Sequence, residues 1–130
     1  MTEIRKCFVD IPDGQVFYRA GGSGEPILFL HQSPMSSDEF LDILAILAKD
    51  YRVLAMDTMG YGNSDTPSHE YEIVDFARSV INFLNALGIQ KASIVGHHTG
   101  ASIAAEVAAA YPERVDKLML SGLANWELER

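Results

Sequence analysis

Short, nearly continuous apolar runs alternate along this chain with longer stretches whose apolar residues recur every three or four positions. Ile4 to Ile11 and Gln15 to Ala20 are β-rich and flank Asp13-Gly14, a turn signal, which predicts an antiparallel hairpin. After Gly21-Gly22-Ser23-Gly24, Pro26 opens the run Ile27-Leu28-Phe29-Leu30. A strand apolar at successive positions is one buried on both faces, as in a parallel sheet. Tyr51 to Met56 and Ala92 to Val95 repeat the pattern, and Val115 to Leu120 predicts a last strand. A first helix follows Ser36, with Ser36 and Glu39 at capping-box spacing. Its apolar positions are Phe40, Leu44 and Leu47, with Leu41 and Ala48 on the same flank. A second runs from Glu72 to Leu87 through Ile73, Phe76, Val80, Phe83 or Leu84, and Leu87, and Gly88 is its stop. An Ala-rich third helix follows the Gly96 to Gly100 turn, runs through Ala110, and is ended by Tyr111-Pro112. Strands alternating with helices through short loops predict an α/β fold. Its sheet is mostly parallel, with an N-terminal antiparallel hairpin and helices on both faces.

Composition narrows the class. With 130 residues, 48% of them hydrophobic and 22% charged, residues 1–130 form one domain with a real core. The net charge of −8 has the wrong sign for a phosphate backbone or an anionic membrane surface, so neither nucleic acid nor membrane is an expected partner. A lone cysteine, Cys7, cannot form an internal disulfide, which sets aside stapled secreted scaffolds. No apolar signal-peptide core follows Met1 to Lys6, and no apolar run is long enough to cross a bilayer. The expected location is cytoplasmic.

In open parallel sheets ligands bind at the carboxyl ends of the strands, where loops and helix N-termini gather. Three such loops carry unusual residues: His31-Gln32-Ser33-Pro34, the Gly-rich segment from Asp57 to Asp65, and Gly96-His97-His98-Thr99-Gly100. The third has small residues two positions either side of an apex between strand and helix, the pattern of a nucleophile elbow. Gly96 and Gly100 let strand and helix approach, and Thr99 begins the helix with its backbone N–H available to a developing oxyanion.

These residues resemble the α/β-hydrolase superfamily over essentially the whole length. His31-Gln32-Ser33-Pro34 is similar to the family's His-Gly-x-Pro oxyanion loop. Asp57 to Asp65 resembles the D-x-x-G-x-G-x-S-D loop of haloalkane dehalogenases, epoxide hydrolases and related esterases. Tyr111-Pro112-Glu113-Arg114-Val115 resembles the usual link from the elbow helix to the next strand. Two departures bear on function. His98 occupies the apex, where the family has Ser, Asp or sometimes Cys; moving the apex to Thr99 would put His97 where a small residue is needed. The triad acid and His of this family lie on later strands than the chain provides, so the C-terminal strands are expected to be missing. Residues from Asn125 to Arg130 read as the start of a cap.

The resemblance implies a hydrolase of a small ester, lactone or similar apolar substrate, needing no cofactor. His98 stands at the nucleophile position and the amides of Ser33 and Thr99 serve as oxyanion donors. Gln32 replaces the family Gly and either crowds the hole or supplies a side-chain donor. An imidazole at the apex can attack an activated carbonyl or deprotonate water. The competing reading is a non-catalytic ligand-binding or scaffold protein on the same fold. His31 reads as structural, His97 as packing, His69 as solvated, and Asp57 and Asp65 as braces of their own loop. His31, Asp57 and His98 would lie near one another, but their spacings carry no metal signature, so no metal is expected. The exposed flank of the last strand is expected to pair with another copy of the chain or with a missing C-terminal half.

Overall fold

The computed structural model describes residues 3–122. Strand β1 (Arg5–Ile11) folds back on β2 (Gly14–Gly21), and β3 (Pro26–Leu30) follows. A 3₁₀ turn, Ser37–Phe40, runs into helix α1 (Leu41–Leu47). Next come β4 (Arg52–Met56), α2 (Ile73–Ala86), β5 (Ala92–His97), α3 (Thr99–Ala110) and β6 (Val115–Ser121). The six strands form one sheet in the order β1-β2-β4-β3-β5-β6. β2 is antiparallel to both β1 and β4, while the β4, β3, β5 and β6 neighbours are parallel. The predicted α/β architecture is the observed one. No helix among the described residues is long and apolar enough to cross a membrane. The expected start of a cap at residues 125–130 lies outside the described residues.

Alternation along the strands assigns each side chain to one of two layers. Leu28 and Leu30 of β3, Leu54 and Met56 of β4 and Ile94 of β5 pack beneath α2 and α3, against Val80, Phe83, Leu84, Ala104 and Val107. Phe29, Val53 and Ala55 point the other way, onto Leu44 and Ala48 at α1. That second layer is thinly covered. Leu41, Ile43 and Ile46 of the short α1 remain exposed, as do Leu118, Met119 and Leu120 on the edge strand β6, where Met119 is 63% exposed.

One local expectation is corrected. Ser36 caps the 3₁₀ turn, but its hydroxyl accepts from the Asp38 N–H, and the Glu39 carboxylate does not close a box with it. Glu39 instead reaches the His31–Pro34 loop and β5, because two longer-range donors offer themselves there. A reciprocal box does form at α2, between Glu72 and Asp75. Carboxylates take the places usually held by a hydroxyl and a longer acid.

Candidate active site

The loops that leave β3, β4 and β5 meet at the carboxyl edge of the sheet. His31, the first residue beyond β3, is 1% exposed. Its Nε2 accepts the backbone N–H of Thr58 at 3.0 Å. A main-chain N–H can only donate, so the ring proton sits on Nδ1 and is given to the Gln32 carbonyl at 2.9 Å. That carbonyl also accepts the Met35 N–H at 2.8 Å. The Gln32–Ser33 peptide is thereby held on its carbonyl side by two donors, which fixes where its N–H points. The Ser33 N–H points at Thr99 Oγ1, 2.6 Å away. The Thr99 hydroxyl donates in turn to Ser33 Oγ at 3.2 Å.

Asp57 lies just beyond β4 and is also 1% exposed. One carboxylate oxygen accepts the Ser37 N–H at 2.7 Å and the other the Asn63 N–H at 3.0 Å. Asp65 accepts the Gln15 N–H at 2.8 Å. Both acids therefore brace more than their own loop: Asp57 ties it to the turn before α1, and Asp65 ties it to β2.

His98 stands between β5 and α3 with φ 54° and ψ −114°, the one described residue other than glycine at positive φ. Left-handed backbone costs a residue bearing a Cβ about 1–2 kcal/mol, so neighbours must enforce it. They do so sterically. A Cβ on Gly96 would strike the Gly100 main chain, and one on Gly100 would strike the carbonyls of Leu30 and His31. Strand, turn and helix thus approach as the two glycines require. The His98 N–H donates to the Ser121 carbonyl at 2.9 Å, and its exposed ring lies against Gly122 and edge-on to His97, with centroids 4.8 Å apart. Thr99 opens α3, where a first-turn N–H has no acceptor within the helix and forms part of the positive end of its dipole.

A cavity of about 210 Å³ opens beside this corner. Ser33, Thr58, Tyr61, Thr99 and Ser102 give it hydroxyls, while Ile73, Phe76 and Ile103 give it apolar walls, and His31 lies at its base. Among the described residues, no carboxylate, lysine or arginine lines it. Ser33 and Thr99 come together there as the sequence predicts. His98 stands next to the cavity without forming its wall, and Gln32 contributes main-chain groups to the loop. His69 is exposed and packs on Tyr71, away from the cavity. A larger groove of about 480 Å³ lies on the thinly covered face among Ile27, Phe29, Ile43, Leu47, Val95 and Met119, remote from these loops.

Sequence reasoning missed Glu39 as a site residue. Its carboxylate accepts the Gln32 N–H at 2.7 Å through Oε1 and meets His97 Nδ1 at 3.0 Å through Oε2. The partner is 58 positions away in the chain, beyond the reach of any local spacing rule.

A mostly parallel α/β sheet with a strained strand–turn–helix apex beside the loop that follows β3 is the architecture of the α/β-hydrolase class. Residues 25–129 match the family described as alpha/beta hydrolase fold, and the chain belongs to that family. A haloalkane dehalogenase of Mesorhizobium japonicum is 36% identical over 115 residues, 88% of this chain and 37% of its own length. Epoxide hydrolase 4 of Mus musculus is 34% identical over 120 residues, covering 88% of this chain and 33% of its own. The solved meta-cleavage product hydrolase of Pseudomonas fluorescens superposes with a TM-score of 0.87 at 31% identity, over 91% of this chain and 45% of that one. The chain spans roughly a third of the length of the curated relatives it matches.

Proposed function

We propose that the chain is the N-terminal portion of a hydrolase core that adds water to a small, uncharged ester or lactone. The observation that carries this reading is the Ser33 N–H held on an oxygen, Thr99 Oγ1, at 2.6 Å. A main-chain N–H already aimed at an oxygen is the kind of donor an oxyanion needs. The substrate carbonyl oxygen takes the place of the Thr99 hydroxyl, which rotates aside. Negative charge developing on that oxygen is then shared by the Ser33 and Thr99 amides. His98 supplies the lone pair from the apex. It attacks the carbonyl carbon to give an acyl-imidazole that water cleaves, or it takes the proton of an attacking water. In either route the carbonyl π pair moves to oxygen, then returns as the alcohol departs with a proton. An uncharged hydroxyl-lined cavity suits a neutral substrate, since a buried carboxylate or ammonium would find no partner there.

The second reading, a ligand-binding protein without catalysis, is favoured by one observation: the cavity wall is made by Ser33 and Thr99 but not by His98. Hydrolysis of a p-nitrophenyl ester by the full chain separates the two. His98→Ala is expected to lower kcat/KM by about 100-fold or more. Hydrolysis that survives His98→Ala unchanged removes the apex from the mechanism. A pre-steady-state burst identifies the acyl-imidazole route.

A further inference from the structure

We propose that Glu39 is a positioning residue, fastening the Gln32–Ser33 loop to β5 and fixing which nitrogen of His97 carries the proton. Its carboxylate is well sheltered, with a side chain 11% exposed, and each oxygen has one partner. The element that carries it is pinned independently. The Ser37 N–H is held by buried Asp57 at 2.7 Å, and the Ser37 hydroxyl accepts Arg19 Nε–H at 3.1 Å. Glu39 therefore projects from a fixed base, and the loop and ring it grips inherit that fixity.

Two consequences follow from simple donor and acceptor chemistry. A carboxylate only accepts, so His97 Nδ1 bears a proton whatever the charge of the ring. The Gln32 residue is gripped at both main-chain groups, its N–H by Glu39 and its carbonyl by His31 and Met35. With those ties made, the next N–H, that of Ser33, has little freedom to turn from Thr99. His97 carries the same constraint to the apex, since its ring meets the His98 ring at an interplanar angle of 74°. The catalytic consequence rests on the hydrolase reading above; the clamp itself does not.

The test is ¹⁵N NMR of the histidine rings in the full chain, with and without Glu39→Gln. In the parent protein His97 Nδ1 is expected to give a protonated-nitrogen signal. Glu39→Gln keeps the shape and still accepts the Gln32 N–H through its amide oxygen. Its amide nitrogen, however, now donates to His97, and Nδ1 should lose its proton to Nε2. In parallel, a neutral amide oxygen holds the Gln32 N–H more weakly than a carboxylate does, so the loop is less firmly fixed and kcat for ester hydrolysis should fall about tenfold with KM little changed. An unprotonated Nδ1 in the parent protein overturns the proposal without any variant, as does a Glu39→Gln protein whose His97 signals are unaltered. If the NMR change occurs but the parent protein hydrolyses no ester, the clamp stands and the hydrolase reading falls.

Discussion

His31 and His98 stand at the carboxyl ends of adjacent strands, and the surroundings of the two rings are opposite in kind. His31 is buried, with both nitrogens engaged: Thr58 donates to one, and the other donates to the Gln32 carbonyl. It has no atom to spare for a substrate. His98 is exposed on a strained backbone, with its ring laid against a glycine and another ring rather than locked by main-chain bonds. Burial with complete hydrogen bonding is how a polar side chain serves architecture. Strain maintained by two close-packed glycines around an accessible ring is how a fold holds a group ready for chemistry.

Exchanging the roles should expose the difference. His31→Leu leaves the buried Thr58 N–H without its acceptor and the partly buried Gln32 carbonyl short of a donor. A loss of about 2–3 kcal/mol is expected in urea unfolding, with hydrolysis falling alongside as the His31–Pro34 loop loosens. A loss below about 0.5 kcal/mol would place His31 with the surface residues and undo the contrast. At His98 the sign reverses. His98→Gly relieves the positive φ and should raise stability by about 1 kcal/mol while hydrolysis disappears. Destabilisation by His98→Gly would show that the ring holds the turn together and that its exposure misleads.

The surroundings of a third histidine, His69, provide the control and the smallest effect. Tyr71, packed beside His69 and Phe76, donates its hydroxyl to Asp13 across the far end of the β1–β2 hairpin. Partial burial, and then the hydrogen bond to Asp13, hold the phenol proton well above the usual tyrosine range. The folded value lies above the unfolded value of 10.0, so this contact stabilises fully below pH 10 and fades as the pH climbs beyond it. Tyr71→Phe should cost about 0.5 kcal/mol at neutral pH, leave hydrolysis unchanged, and differ less from the parent protein only in strong alkali. Thermal melts that converge below pH 10 would contradict the assignment.

The architecture was legible because each strand and helix declares itself locally. A both-faces-buried strand such as Ile27-Leu28-Phe29-Leu30 must be apolar throughout, and the Gly96 and Gly100 spacing marks a backbone approach no other residue allows. Strand ends moved by a residue or two, as β5 did in extending to His97. The pairing of Ser33 with Thr99 was legible only as two amides. That the Thr99 hydroxyl already occupies the Ser33 N–H depends on two loops 66 positions apart meeting at hydrogen-bond distance. Glu39 was misread for a related reason. Its spacing from Ser36 satisfies a local capping rule, and nothing nearby in sequence announces Gln32 and His97 as better partners. The cavity's offset from His98 arises from where α2 delivers Ile73 and Phe76, a matter of tertiary placement.

Gly100 has a mechanical consequence. With only hydrogen on its Cα, α3 rests directly on the carbonyls of Leu30 and His31, so the root of the helix and the stem of the loop meet in a joint without slack. The Ser33 and Thr99 amides, the proposed oxyanion donors, sit on either side of that joint and should move together. A ligand that needs more room cannot obtain it by spreading them. The cavity can widen more readily at its opposite wall, where Tyr61 of the long crossing between β4 and α2 meets Ile73 and Phe76 of the start of α2.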